Sequence, residues 1–203
     1  SVKVDVKTGE SIGTQVGPML KESKLQASGA VKMFDSAERI EKALASGKVS
    51  AGPLASKTMT VKQFIYKTTG GNAEDIKQTR QTIRALSEMA VEARKELAGQ
   101  GQVTESEAKA VERAMAGNID ELTTAELADI AKLTKRASNY RVRAHQDMVD
   151  EVGRRPDTKG LTPFYKIPGA ERVLKYTGDS DMGGKAGVLQ PAGDGSFNYT
   201  PRR

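Results

Sequence analysis

The stretch Gly99-Gln100-Gly101-Gln102-Val103-Thr104-Glu105-Ser106-Glu107 decides how this chain folds. Its glycines close one helix, and Thr104 followed by Glu107 opens the next. That pair is a capping box, in which a hydroxyl and a carboxylate each satisfy a backbone N–H left free by the first turn. The same device recurs at Thr123 and Glu126, after Gly117-Asn118 has ended the middle helix. Residues 72–152 therefore read as three helices in a row.

The first of these covers 73–97, where Ile76, Ile83, Ala90 and Leu97 recur every seven residues and Leu86 and Ala93 fill the positions between. Thr79 is the weak point of that seam, and the helix would be roughly 37 Å long. The middle helix, 105–116, turns Ala108, Val111 and Met115 inward, with Val103 placed to close a hydrophobic staple onto Ala108. In the third, 125–152, a stripe of Leu127, Ile130, Ala137, Ala144, Met148 and Val152 is shared by Thr134 and Arg141. The plainer reading is that this part of the helix is exposed. The other is that it packs in an oligomer or faces a water- or nucleic-acid-filled passage.

Upstream, residues 28–46 form a helix with Met33, Phe34, Ala37, Ile40 and Leu44 on one face, stopped by Gly47. A turn through Ser50, Gly52 and Pro53 leads to a helix over 58–68 that buries Val61, Phe64 and Ile65, and Gly70-Gly71 breaks it. Residues 1–27 carry Gly9, Gly13, Gly17 and Pro18 and only a short alternation at Val2, Val4 and Val6, which reads as an edge strand or, the reading adopted, an extended arm laid on a neighbour. No signal peptide is read there, since Lys3, Asp5 and Lys7 interrupt the first apolar run. Downstream of Gly153-Arg154-Arg155-Pro156 glycine and proline become dense, and one short helix is expected over 168–176. The organisation is an N-terminal arm (1–27), a helical domain (28–152) and an irregular tail (153–203). The fold class is mainly α: an antiparallel helical hairpin or bundle of about five helices.

Composition limits the chemistry. Apolar residues make up 37% and aromatics 4% of the chain, so the core is thin and neighbouring subunits or partners should contribute to stability. There is no cysteine and one histidine, His145, so neither a disulfide nor a thiolate metal site can form, and no metal or cofactor is expected. No apolar run is long enough to cross a membrane as a conventional helix. The net charge of +6 permits contact with nucleic acid, but most basic residues are interleaved with acidic ones, as on a solvated helix face.

Catalytic patterns are missing. A glycosidase needs a carboxylic acid of raised pKa in an aromatic-lined cleft, whereas Glu88, Glu92, Glu96, Glu112 and Glu121 stand on polar helical faces and the chain has no tryptophan. His145 has no nucleophile near it in sequence and reads as solvent-facing or structural. Gly70-Gly71-Asn72 and Gly183-Gly184-Lys185 lack phosphate-loop spacing and read as turns. The pairs Arg154-Arg155 and Arg202-Arg203 are candidates for non-specific contact with DNA phosphates. Ile76, Ile83, Leu97, Phe164, Tyr165, Phe197 and Tyr199 are the candidate contacts to other subunits or partners.

The order of segments carries a resemblance. Ser28-Gly29-Ala30-Val31-Lys32-Met33-Phe34-Asp35 and onward to Glu41 leads into Ser50-Ala51-Gly52-Pro53-Leu54-Ala55. The long helix, the linker 98–107 and Ala114-Met115-Ala116-Gly117-Asn118-Ile119-Asp120-Glu121-Leu122 follow. This succession, over 28–152, resembles a helical region of tailed-bacteriophage virion proteins, in particular those of ejection or internal-core type. The tail, with Gly187-Val188-Leu189-Gln190 and Phe197-Asn198-Tyr199, is similar in style to the C-terminal ends of such proteins. The resemblance implies a non-enzymatic virion component in the capsid or tail interior or attached to the tail or portal. Its partners would be tail, portal or ejection proteins and further copies of itself, with delivery into the host envelope as one destination. It transfers no functional residue. The alternatives are a cell-wall-degrading virion enzyme and a DNA-packaging protein that binds the duplex through charge.

Overall fold

The computed structural model describes the backbone of residues 3–46, 59–98, 103–156, 159–177, 187–191 and 197–201. Side chains are described over 16–46, 59–94, 103–156 and 160–177. The protein is mainly α. Its helices are α1 (Lys3–Ala45), α2 (Val61–Thr69), α3 (Ala73–Ala98), α4 (Glu105–Met115), α5 (Thr124–Arg154) and α6 (Ala170–Leu174). Two 3-10 turns, Ile119–Glu121 and Lys159–Tyr165, and an antiparallel hairpin of β1 (Gly187–Pro191) with β2 (Phe197–Pro201) complete the described elements. The expected turn at 50–53, the linker residues 99–102 and the turn at 183–185 lie outside the described residues.

The chain divides into two compact units, 32–138 and a second made of 1–31 with 139–203. In the unit 32–138, three capping boxes and one Asn cap start the helices. Thr60 and Gln63 box α2, Thr104 and Glu107 box α4, and Thr123 and Glu126 box α5. The Asn72 side chain caps α3 by accepting from the N–H groups of Glu74 and Asp75. Two of the caps are tied together. Thr60 and Thr123 form an isolated antiparallel bridge, with Val61 N donating to Leu122 O at 2.7 Å and Thr124 N to Met59 O at 2.8 Å. The starts of α2 and α5 are thereby fixed side by side.

Inside this unit the seam of α3 is buried at Ile83, Leu86, Ala90 and Ala93, together with Met89. Phe34, Ala37 and Ile40 of α1, Val61, Phe64 and Ile65 of α2, and Leu127, Ile130, Ala131 and Leu133 of α5 are buried as well. The stripe of α4 differs from expectation. Glu107, Ala110, Val111 and Ala114 face inward, Ala108 is half-buried and Met115 is 61% exposed. The helix is rotated because Glu107 has a buried cationic partner, Arg136, which draws that edge of α4 inward. Thr134 is also corrected. It is fully buried rather than exposed or facing a passage, because its hydroxyl donates to the carbonyl of Ile130 at 2.8 Å with Leu86 O at 3.2 Å.

In the other unit the extended arm expected over 1–27 is replaced by helix, continuous from Lys3. Glycine and proline spoke against it. Burial of Leu20, Ala27, Ala30 and Val31 at helical spacing outweighs that local cost, since Leu20 packs with Val149 and Val152 of α5. Pro18 lacks an N–H for the carbonyl four residues back, and it sits on the exposed side of α1. The short tail helix starts at Ala170 after a left-handed Gly169, so Pro168 precedes the cap rather than occupying the first turn. No helix among the described residues is long and apolar enough to cross a membrane.

Candidate interaction surfaces

The most densely bonded feature outside the helix ladders lies in the unit 1–31 with 139–203. Side chains of α1 and α5 grip backbone carbonyls of the tail segment 160–176. Asn139 Nδ2 donates to Val173 O at 2.6 Å and Tyr176 O at 3.1 Å, and Arg143 Nη2 donates to Leu174 O at 2.9 Å. These carbonyls lie at or just past the C-terminal end of α6, where the helix ladder runs out and a cation is favoured; Val173 O also accepts from Tyr176 N at 3.1 Å. Arg143 Nε also donates to Asn139 Oδ1 at 2.8 Å, which orients the amide. Nearer the start of the segment, Lys24 Nζ donates to Phe164 O at 2.6 Å.

His145 completes the grip. Its Nε2 lies 2.8 Å from Tyr165 O and its Nδ1 2.9 Å from Ser23 Oγ, with 3% of the residue exposed. A carbonyl can only accept, so Nε2 carries the proton and Nδ1 accepts from the Ser23 hydroxyl. Burial lowers the pKa of this imidazole, the bond to Tyr165 acts upward, and the nearby Lys24 ammonium lowers it further. The expectation of a structural histidine holds, and the solvent-facing alternative does not. Gly153 allows the approach of this segment, because a Cβ there would sit 3.1 Å from Thr162 Cγ2.

The residues put forward as partner contacts separate accordingly. Tyr165 is half-buried against the Leu20, Val149 and Val152 cluster of its own unit, so it is spent internally. Ile83 is likewise fully buried inside its own unit, and Ile76 is half-buried. Phe164 is 72% exposed, and its backbone is the one held by Lys24. Leu25 on α1, 75% exposed, was not expected; a leucine amid Glu22, Gln26 and Gly29 was the available signal. The side chains of Leu97, Phe197 and Tyr199 lie outside the described residues, while the hairpin register sets Leu189 opposite Tyr199 and Pro191 opposite Phe197. The chain shows no match to any family model, to any curated protein or to any solved structure.

Of the candidate phosphate contacts, Arg154 donates to Glu151 at 3.0 Å on the surface and Arg155 is exposed, whereas Arg202 and Arg203 lie outside the described residues. Glu88, Glu92, Glu112 and Glu121 are exposed as expected, and Glu112 pairs with Arg94 at 2.9 Å. Glu96 has no described side chain. Two carboxyls do have raised pKa values. Burial raises Asp129, with Ser106 opposing and Glu107 adding, and burial raises Asp147, with Asp150 adding. An open depression of about 530 Å³ in the unit 32–138 is lined by Lys77, Arg80 and Arg84 of α3 and by Asn118 and Asp120. Arg80 is tied to Asp120 by a two-pronged bond of 3.1 and 2.7 Å.

Proposed function

We propose that this chain is a non-enzymatic structural component of a tailed-bacteriophage virion, associated with the tail or portal or stored as an ejection protein. It works as one copy in an oligomer, within the particle, and is delivered toward the host envelope if ejected. The resemblance of residues 28–152 to helical virion proteins supports this reading. The observation that carries its assembly with partners is Phe164, an aromatic ring left 72% exposed on a backbone that Lys24 bonds. A ring on a fixed backbone costs little further ordering when it docks, which is how aromatic anchors dominate interfaces. Burying it would contribute roughly 3 kcal/mol at about 25 cal/mol per Å².

Mass photometry and sedimentation velocity at micromolar concentration test this, on the chain alone and mixed with tail, portal and ejection proteins of one virion. Self-association or a stable complex is expected, weakened on the order of 100-fold in Phe164→Ser. A compact monomer that ignores every virion component overturns the proposal.

A further inference from the structure

We propose that His145 is an acid-sensitive latch, holding the tail segment 160–176 against α1 and α5 while neutral and releasing it when protonated. The geometry has three parts. The imidazole joins three separate stretches of chain: α5 on which it sits, Ser23 of α1, and the carbonyl of Tyr165 at the end of a 3-10 turn. Both ring nitrogens are occupied, and the bond to the carbonyl fixes which one bears the proton. The imidazole is also buried, with 3% of the residue exposed, between half-buried partners.

Protonation disturbs this arrangement at Nδ1. The nitrogen changes from acceptor to donor, so the Ser23 hydroxyl must turn its oxygen toward the ring and place its own proton elsewhere. A positive charge is then left on a buried ring, which is costly unless a carboxylate answers it. Lys24 follows Ser23 on α1 and Lys166 follows Tyr165, while α5 carries Arg141, Arg143, Asp147 and Asp150 within five positions of His145. Lys24 is the charge that bears on the imidazole, and it opposes protonation. Asp147 and Asp150 act on each other, and Arg143 and Arg154 act on Asp147.

Release has a directional consequence. Tyr165 leaves the cluster of Leu20, Val149 and Val152, with Val16 and Met148 at its edge, and an apolar face opens on this unit. The grip through Asn139 and Arg143 on the end of α6 uses an amide and a guanidinium, neither of which titrates near neutrality. The latch therefore lets go at residues 160–166 first and at α6 second. The proposal is independent of the virion assignment, since it concerns a switch within one chain.

The sign follows from linkage. The opened segment exposes an ordinary histidine, which binds its proton below about pH 6.5, while the closed state resists it. As pH falls from about 6.5 to the lowered closed-state value, the opening equilibrium grows by up to about ten-fold per pH unit, and below that value it levels off.

The test uses the full chain and exploits its single histidine, which gives one unambiguous imidazole signal in a proton NMR titration from pH 8 to 4.5. The expected result is titration below 6.5. Amide exchange, corrected for intrinsic rates, should show protection of 160–166 falling by up to about ten-fold per pH unit over that window and α6 following less steeply, while residues 83–93 of α3 stay unchanged. In His145→Gln, which is neutral throughout, the slope should disappear. An imidazole titrating at or above 6.5, protection at 160–176 independent of pH, or the same slope in His145→Gln each overturns the latch. If that variant does not fold, the titration and exchange profile of the unaltered chain decide the matter alone.

Discussion

Replacing Glu107 by alanine should be strongly destabilising in the unit 32–138, and its cost can be worked out from two bonds. Glu107 Oε2 accepts from Arg136 Nη2 at 2.5 Å and from the Thr104 backbone N–H at 2.9 Å. The two side chains are 4% and 14% exposed, so this is a buried ion pair, and Arg136 Nε has no partner among the described residues. Removing the carboxylate leaves a guanidinium charge without an answer, a loss of about 3–5 kcal/mol. The orphaned N–H of the cap adds roughly 1 kcal/mol. Together they approach the whole stability of a marginal domain. The companion Glu107→Ala with Arg136→Met removes both charges, so only the cap and some packing are lost and stability should return to within about 2 kcal/mol of the parent. Urea unfolding followed by far-UV circular dichroism measures the four corners of the cycle, where a 4 kcal/mol loss lowers the midpoint by about 2 M for a slope near 2 kcal/mol/M. A single loss below about 1 kcal/mol, or a double variant as unstable as the two singles added, would refute the reasoning.

Three further outcomes are expected. Burial raises the pKa of Glu126, but the Thr123 backbone N–H and hydroxyl with Arg113 outweigh it, and the net pKa is lowered from 4.5. Its stabilisation is therefore complete above about pH 4.5 and drains away as pH falls through the lowered folded value. Urea midpoints of Glu126→Gln and parent should differ at pH 7 and converge near pH 3. Gly117→Ala should cost about 1–2 kcal/mol although nothing lies within 4 Å of the new Cβ, because φ is +95°; Gly29→Ala, helical and equally unobstructed, should gain about 0.5–1 kcal/mol in the same assay. Phe164→Ser should leave the thermal midpoint of the isolated monomer within about 1–2 °C of the parent, since the ring is 72% exposed, and a larger drop would mean the ring belongs to the core.

What the sequence disclosed follows the range of the forces involved. Capping boxes act over three residues, so Thr104 with Glu107 and Thr123 with Glu126 were readable, and helix bounds followed to within a few residues. The seam of α3 was readable for a similar reason, since period seven needs no knowledge of the partner. Residues 16–27 were misread because their helix depends on Leu20 meeting Val149 and Val152, which lie more than a hundred positions away in the chain. The inward edge of α4 was misread because Ala108 and Met115 fit an apolar period, while an ion pair with Arg136 dictated the rotation. The grip on the tail was unreadable for a different reason. It acts on backbone carbonyls, which every residue has, and so it marks no particular side chain at 164, 165, 173, 174 or 176. Only the donors could have hinted at it, through Asn139 and Arg143 standing one helical turn apart.

The division of the chain gives its synthesis a timetable. Residues 32–138 are contiguous and hold their own core, so they can collapse as soon as they have left the ribosome. The other unit is split in sequence: residues 1–31 emerge ahead of 32–138, yet Leu20 has nothing to pack on until Val149 and Val152 exist. At about 5–20 residues per second the early half of α1 waits some seconds to tens of seconds, with Leu20, Ala27 and Val31 uncovered. A nascent chain in that interval is a substrate for chaperones and proteases, and its uncovered strip is the early half of α1. The glycines and Pro18 that argue against a stable helix there have a second consequence in this setting. They keep the waiting segment from committing to a long apolar rod before its partner arrives.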